Sequence, residues 1–235
     1  MKVKVIFNPL KSWAAALAAA VKRHLRQASH HIVAKGAEVT VCIGGDGTIL
    51  YGNHKKKIQG KILGIGSRRS YICQLRRDNW KKELLSKLQD NTDDMFVLDY
   101  AAKGIRGTAV NDVVVHAKNY RVLGINLQAA GKKHFFRGDG LIISSAIGST
   151  GYAYSAGGKA VAPTAKILQL VPIAPYRRTF KGMAVRGNDR VVVSANRACA
   201  LIIDGIYLKE LKANESVAIR KSKSLQFFKG VGWYE

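Results

Sequence analysis

The order of polar and apolar residues changes character about a third of the way along the chain. In the first part, alternating residues and short β-branched runs predict strands, which cover residues 2–7, 39–43 and 61–65. Apolar residues at helical spacing predict helices at residues 12–28, 48–57 and 78–88. Ser12 and Asp78 are expected to cap the first and third of these helices. Strands that alternate with helices predict an α/β domain with a mostly parallel sheet.

From about residue 91 onward, Gly and Asn residues separate many short strand-like segments. The predicted strands of this part cover residues 95–100, 108–116, 121–129, 141–145, 167–173, 190–195, 200–203 and 215–220. One helix is predicted among them, at residues 150–157. The series predicts a β-rich, sandwich-like domain. We therefore expect two domains, residues 1–93 and 94–235, with the strand-like residues 225–228 as a candidate to return to the first.

Charge is the unusual feature of the composition. Lys and Arg number 39 and Asp and Glu 15, which gives a formal net charge of +24. A surface of this charge attracts polyanions such as nucleic acid, nucleotides or polyphosphate. No acidic residue lies between Asp46 and Asp78. A solvated basic face explains most of this excess equally well, so charge alone does not separate a nucleic-acid binder from an enzyme with phosphate-rich substrates.

Cysteine spacing and hydropathy exclude several classes of protein. Cys42, Cys73 and Cys199 are widely spaced, and an odd count without a paired spacing argues against a disulfide framework or a zinc site. Buried, reduced thiols are the expected state. The apolar stretch from Trp13 to Val21 is too short to span a bilayer. We therefore expect a cytoplasmic protein.

The strongest local motif is Gly44-Gly45-Asp46-Gly47-Thr48, which follows a predicted buried strand and opens a short helix. Glycines allow backbone N–H groups to approach an oxyanion closely, and a helix N-terminus adds partial positive charge. Asp46 is the exception, because a carboxylate repels a phosphate. It is better suited to act as the base for a hydroxyl group or through a metal ion. The alternative is a tight turn in which Asp46 caps the helix.

The motif has neither the spacing of a Walker A loop nor that of the three-glycine dinucleotide fingerprint. It resembles the motif of the diphosphate-binding kinase superfamily, which contains the NAD kinases, the diacylglycerol and sphingosine kinases and, more distantly, the phosphofructokinases.

Further segments resemble the NAD kinases within that superfamily. Asn111-Asp112 before an apolar run is similar to their Asn-Glu/Asp motif, and Asp204-Gly205 follows another predicted strand. Residues 137–158 are similar to the central NAD kinase segment, which the lipid kinases lack: Gly-Asp-Gly, a strand, Gly-Ser-Thr, Tyr, and Ser before Gly-Gly. Pro172-Ile173-Ala174-Pro175 also resembles the family.

The resemblance implies an NAD kinase, a phosphotransferase that phosphorylates the 2′-hydroxyl of the adenosine ribose of NAD with ATP or polyphosphate as donor. It implies a divalent metal, most simply Mg²⁺ held by donor phosphates and water, so no residue is named as a metal ligand. It also implies a homodimer or homotetramer, with no specific nucleic-acid or membrane partner. The alternatives are a kinase of another small molecule or lipid, or a non-catalytic polyanion-binding protein.

The resemblance also assigns roles to individual residues. Asp46 matches the catalytic carboxylate. Asn111 and Asp112 match residues that hold adenosine, and Asp139 matches a contact on the nicotinamide side or from a neighbouring subunit. The remaining expected substrate-binding residues are Gly45, Gly47, Arg137, Thr150, Gly151, Tyr152, Ser155 and Asp204.

Two departures from the family pattern are visible. Ile206 follows Asp204-Gly205 where the family usually has Gln, so no role of that Gln applies here. Residues 66–73 are basic where the family has a Gly-rich apolar turn. Arg68 and Arg69 in this loop are candidates to bind donor phosphates, with an exposed basic turn as the alternative.

Overall fold

The computed structural model describes residues 1–119 and 121–231, which form two compact units. Unit 1 contains Met1–Met95 together with the chain from Leu225 onward, and unit 2 contains Phe96–Ser224. The chain thus leaves unit 1 after Met95 and returns to it at its C-terminal end.

Unit 1 is built on a parallel sheet. Its strands are β1 (Lys2–Phe7), β2 (His31–Ile32), β3 (Val39–Ile43), β4 (Lys61–Gly66) and β5 (Leu75–Arg76). They pair in parallel in the order β5-β4-β3-β1-β2. All five residues of β3 are buried, which explains why this segment lacks the polar alternation of a half-exposed strand.

Three helices accompany this sheet: α1 (Ala14–Gln27), α2 (Asp46–His54) and α3 (Trp80–Lys87). Helix α1 buries one stripe at helical spacing, made of Ala14, Ala18, Val21 and Leu25. The predicted caps are wrong, because Trp13 and Asn79 occupy the N-cap positions of α1 and α3, and neither position has a side-chain cap. None of the helices among the described residues is long and apolar enough to cross a membrane.

Unit 2 consists of strands in antiparallel sheets. The strands are β6 (Thr92–Ala102), β7 (Ile105–Ala109), β8 (Asp112–Ala117), β9 (Leu123–Ala129), β10 (Lys132–Gly138), β11 (Gly140–Ser144), β12 (Ile167–Ile173), β13 (Met183–Arg186), β14 (Val191–Ala195), β15 (Cys199–Ile203), β16 (Ile206–Leu211) and β17 (Ser216–Phe228). One sheet has the order β13-β12-β11-β8-β15-β16. In the other, β10-β9-β14-β17 pair side by side, and β6 pairs with β7. Strand β6 begins in unit 1 and β17 ends there, where Phe227 pairs with Ile62 of β4.

A single hydrophobic cluster joins the two sheets of unit 2. It combines inward residues of one sheet, such as Val113 and Ile143, with residues of the other, such as Ile125 and Val193. Alternating burial along β9 and β14 is the pattern of strands with one face in such a core. The predicted fold class, an α/β N-terminal domain with a mostly parallel sheet and a β-rich, sandwich-like C-terminal domain, is confirmed.

Two predicted elements of unit 2 are broken in the structure. The strand expected at residues 108–116 is interrupted between β7 and β8, at Val110 and Asn111. The helix expected at residues 150–157 is present but shorter, as α4 (Tyr152–Ser155), and Gly151 separates it from a 3-10 turn at Ile147–Thr150. Both breaks lie in segments that the sequence marks as candidates for binding.

Candidate functional site

In unit 1, the glycine turn between β3 and α2 has a backbone shape that requires glycine. Gly44 and Gly45 have φ values of 135° and 94°. A Cβ atom on Gly44 would lie 2.6 Å from Thr48 Oγ1 and 2.7 Å from Asn8 Cβ. A Cβ on Gly47 would meet nothing within 4 Å. Helix α2 begins directly after this turn. The N–H of Thr48 in its first turn donates to the carbonyl of Gly45 at 2.9 Å, and the N–H groups at such a helix N-terminus suit an anion.

Asp46 connects this turn to the basic loop at residues 66–73. Its Oδ2 accepts a hydrogen bond from the N–H of Tyr71 at 2.7 Å. Its Oδ1 accepts from the N–H groups of Ile72 at 2.9 Å and Cys73 at 3.2 Å. Burial, followed by the charge of Asp46, raises the pKa of the Cys73 thiol well above its usual value, so this thiol stays protonated beside the carboxylate. Asp46 thus fixes the loop as well as carrying a charge next to the glycine turn.

The two arginines of the basic loop have different surroundings. Arg68 Nε lies 3.6 Å from Asp78 Oδ2 in an exposed ion pair. Arg69 is exposed and makes no ion pair within the described part of the chain. Ser70 stabilises the bend, because its Oγ accepts from the N–H of Ser67 at 3.1 Å. Arg69 can therefore bind a phosphate without losing an ion pair, whereas Arg68 would first have to leave Asp78.

In unit 2, the Val110-Asn111 break is held by Asp204. The N–H groups of Val110, Asn111 and Asp112 donate to its carboxylate at 2.9, 2.7 and 3.2 Å. Asn111 is half-buried, and its Oδ1 is a buried atom with no hydrogen-bond partner among the described residues. An unsatisfied buried acceptor is costly and is rare in folded proteins. A ligand N–H group can satisfy it.

Asp112 is buried directly after this break. Burial, followed by the negative charge of Asp204, raises the pKa of the Asp112 carboxyl to about 7. The protonated form can donate a hydrogen bond, and the ionised form can accept two or more. Near neutral pH, Asp112 can therefore bind a ribose hydroxyl or an amino group of a substrate in either state.

The raised pKa of Asp112 predicts a pH-dependent stability. The pKa of Asp112 in the folded protein exceeds the usual Asp value. The protonated carboxyl of Asp112 therefore contributes fully to the free energy of unfolding below about pH 4, and this contribution is lost as the pH rises through 7. As the pH rises from 5 to 8, we expect the free energy of unfolding of Asp112→Asn to increase by roughly 2 kcal/mol relative to that of wild type. Urea unfolding at both pH values measures this, with Asp189→Asn as control. A difference that does not change with pH would contradict the burial of a titrating carboxyl.

Ser145 and Gly148 build the other side of the Asn111 break, although the sequence assigned no role to either. Ser145 Oγ donates to the carbonyl of Val110 at 2.6 Å and accepts from the N–H of Gly148 at 3.2 Å. The N–H of Ser145 donates to the carbonyl of Asn111 at 2.8 Å. A Cβ on Gly148 would lie 2.3 Å from that same carbonyl oxygen. Their occurrence within the NAD kinase-like segment was the available signal.

The predicted substrate-binding residues at positions 150–155 come shortly after Gly148 along the chain. Gly151 and Thr150 are half-buried, whereas Tyr152 and Ser155 are exposed. A Cβ on Gly151 would lie 3.9 Å from Asn111 Nδ2. Burial, then the charges of Asp112 and Asp139, raises the pKa of Tyr152 above its usual value. The structure therefore brings Asn111, Asp112, Gly151 and Tyr152 together, with Asp139 close enough to act on Tyr152 electrostatically.

Arg137 and Asp139 lie where β10 passes into β11. The Arg137 guanidinium carbon is 5.1 Å from the ring centroid of Tyr176. The N–H of Asp139 donates to the carbonyl of Ile173 at 2.9 Å, and its carbonyl accepts from the N–H of Ala117 at 2.7 Å. The Asp139 backbone is thus held on both sides, by Ile173 at the end of β12 and by Ala117 at the end of β8.

The chain is similar to NAD kinases over most of its length. Residues 110–229 match the model of the ATP-NAD kinase C-terminal domain. The chain is similar to the NAD kinase of Archaeoglobus fulgidus, with 32% identity over 78% of this chain and 74% of that protein. It is also similar to the NAD kinase of Methanocorpusculum labreanum, with 30% identity over 83% of this chain and 75% of that protein.

Two solved structures share the fold. The crystal structure of an NAD kinase from Archaeoglobus fulgidus in complex with ATP matches with a TM-score of 0.85 and 26% identity, over 98% of this chain and 94% of that one. Yeast NADH kinase complexed with NADH matches with a TM-score of 0.84 over 97% of this chain and 82% of that one, and its 17% identity supports the fold alone.

Proposed function

The chain belongs to the NAD kinase family, and on this premise we propose that it transfers the terminal phosphoryl group of ATP to the 2′-hydroxyl of the adenosine ribose of NAD, which forms NADP. The main structural support for this proposal is the carboxylate of Asp46, which is held in a fixed position at the glycine turn that opens α2. An anion-binding turn and an acceptor for a hydroxyl proton are what phosphoryl transfer to an alcohol requires.

In the proposed reaction, the ribose 2′-oxygen bonds to the terminal phosphorus of the donor. The bond from that phosphorus to the bridging oxygen breaks, and its electron pair stays on that oxygen in the departing ADP. The proton of the 2′-hydroxyl passes to the carboxylate of Asp46. Because the three backbone N–H bonds to Asp46 hold its oxygens in place, the carboxylate needs little reorganisation as the reaction proceeds.

The residues around the Asn111 break are proposed to bind NAD. The unsatisfied Oδ1 of Asn111 accepts a hydrogen bond from the adenine amino group, and Asp112 binds the ribose or the amino group. Thr150, Gly151, Tyr152 and Ser155 form the adenine and ribose pocket. Asp139 and Arg137 act on the nicotinamide side, where the guanidinium can bind an anionic group. Gly45 and Gly47 bind phosphate through their backbone.

A divalent cation, most simply Mg²⁺, is proposed as the cofactor. Within residues 1–119 and 121–231, no group of three or more His, Cys, Asp or Glu side chains is placed to hold a metal ion. The proposed magnesium ion would take its ligands from donor phosphates and water and would there neutralise phosphate charge. We assign it no residue of this chain.

The basic loop is proposed to bind the donor through Arg69. We expect Arg69→Ala to raise the KM for ATP about 5- to 10-fold and to leave the KM for NAD within about 2-fold, because one charge-assisted contact is lost. Arg68→Ala is the matched control, since Arg68 is engaged by Asp78. Initial rates at varied ATP and NAD measure both constants. Equal changes in the two variants would leave these arginines as ordinary surface charge.

A donor-by-acceptor assay tests the function itself. Purified protein is incubated with ATP or inorganic polyphosphate as donor and with NAD, NADH, diacylglycerol or sphingosine as acceptor. The proposal requires NADP or NADPH as product and no phosphorylated lipid. A lipid product would favour the alternative kinase, and binding of polyanions without any product would favour a non-catalytic protein.

A homodimer or homotetramer is proposed for the assembly. Repulsion opposes association of chains with a charge of +24, so a contact should use a region of low charge. The outer face of β9 and β14 offers Asn126, Gln128, Val192 and Ser194 as such a region. Light scattering at moderate salt measures the assembly, and a monomer would contradict the proposal. A cytoplasmic location, without a specific nucleic-acid or membrane partner, stays a prediction.

A further inference from the structure

We propose that Asp204 is a positioning residue that holds the Val110-Asn111 break in the shape that binds NAD and that acts on the substrate through Asn111. The inference rests on the proposed function for its substrate. It replaces the role of direct substrate contact that the family resemblance suggests for Asp204.

The break leaves backbone groups without partners in the sheet. Strand β7 ends at Ala109 and β8 begins at Asp112, so the N–H groups of Val110 and Asn111 lie outside both ladders. Asp204 receives both of them and the N–H of Asp112. In return, the N–H of Asp204 donates to the carbonyl of Asp112 at 3.0 Å. Four hydrogen bonds therefore join these segments, although more than 90 residues separate them along the chain.

The position of Asp204 follows from its own hairpin. Strands β15 and β16 pair Ile203 with Ile206, which leaves Asp204 and Gly205 as a two-residue turn. Their φ values are 49° and 78°, as a type I′ turn requires. Asp-Gly is a preferred sequence for this turn, so the two residues suit the backbone conformation that the turn requires. It presents the carboxylate in a fixed direction, and charge-assisted bonds to N–H groups are stronger than neutral ones.

The consequence for binding lies in Asn111. Its backbone N–H makes the shortest of the three hydrogen bonds to the Asp204 carboxylate, 2.7 Å. Its side-chain Oδ1 is the buried acceptor that has no hydrogen-bond partner among the described residues. Loss of the anchor frees the backbone that aims this oxygen. NAD must then order the break when it binds, which weakens binding without changing the reacting atoms.

The first test measures the anchor without any substrate. Asp204→Asn is the variant of choice, because Asn-Gly also forms a type I′ turn and keeps one acceptor oxygen. We expect amide hydrogen exchange of residues 110–112 to become at least about 10-fold faster in the NAD-free protein. Asp189→Asn is the control, since Asp189 also accepts a backbone N–H of unit 2, from Arg186 at 3.0 Å. Unchanged exchange at residues 110–112 would overturn the inference, whether or not the protein makes NADP.

The second test separates positioning from direct contact by a double-mutant cycle. We expect Asp204→Asn to raise the KM for NAD about 10-fold and to change kcat by less than about 3-fold. In an Asn111→Ala background, the same substitution should raise that KM less than about 2-fold, because the group that Asp204 positions is gone. Independent, multiplying effects of the two substitutions would show that Asp204 contacts NAD itself. A protein that exchanges as expected but forms no NADP would contradict the proposed function and leave the anchor intact.

Discussion

Replacement of Asp46 by alanine is expected to lower kcat by about 10²- to 10³-fold. In the proposed reaction, the carboxylate accepts the proton of the attacking hydroxyl, a role typically worth 10²- to 10⁴-fold. It also receives the N–H groups of Tyr71, Ile72 and Cys73, so its loss releases the basic loop that follows β4. Steady-state rates at saturating NAD and ATP measure the effect. The Kd for NAD, measured by titration, should change less than about 3-fold, because Asn111 and Asp112 keep their surroundings.

Asp46→Asn separates the two roles of this residue. Its one remaining oxygen can still accept N–H groups of the loop, whereas its amide cannot accept a proton from the ribose. We expect kcat to fall at least about 10²-fold in this variant, with less loss of thermal stability than in Asp46→Ala. Asp78→Asn, which alters an exposed carboxylate of the same unit, serves as the control. Near-normal turnover of Asp46→Asn would mean that Asp46 acts as an anchor and has no part in proton transfer.

Replacement of Gly148 by alanine is expected to lower stability by about 2–3 kcal/mol and to raise the KM for NAD more than about 10-fold. The added Cβ would lie 2.3 Å from the carbonyl oxygen of Asn111 and 2.6 Å from its Cα. These are backbone atoms that cannot rotate away, so the break must shift, and overpacking of this kind typically costs 1–3 kcal/mol. Urea unfolding and NAD titration measure the two effects.

Gly151→Ala is the matched control for this prediction. Gly151 lies three residues further along, and its added Cβ would meet Gly148 at 3.4 Å and Asn111 Nδ2 at 3.9 Å, which are tolerable contacts. We expect less than about 1 kcal/mol of destabilisation. If both alanine variants lost the same stability, the close approach of Gly148 to Asn111 would not be what destabilises Gly148→Ala.

Local patterns predict some parts of this protein and not others. The glycine turn is legible in the sequence because Gly44 and Gly45 need positive φ, a property of the residue type itself. The strand predicted over residues 108–116 shows the limit. Its apolar, β-branched residues favour a continuous strand, but tertiary hydrogen bonds to Asp204 break it. No local pattern contains that partner.

The same reasoning applies to Asp46. Its position between glycines predicts a reactive carboxylate, whereas its hydrogen bonds to residues 71–73 depend on a loop that is 25 to 27 residues away along the chain. The predicted caps of α1 and α3 fail for a different reason. Ser12 and Asp78 have suitable side chains, but the helices begin after Trp13 and Asn79. Residue preference alone therefore does not predict the residue at which either helix begins.

The position of the transferred phosphate tests the central claim most directly. The protein is incubated with ATP, Mg²⁺ and NAD. The product is identified by phosphorus NMR and by whether an NADP-specific dehydrogenase reduces it. We expect one product, phosphorylated at the 2′-oxygen of the adenosine ribose, and a rate of product formation that is at least about 10²-fold lower with Asp46→Asn. A phosphate on any other atom of NAD, or equal rates from wild type and Asp46→Asn, would contradict it.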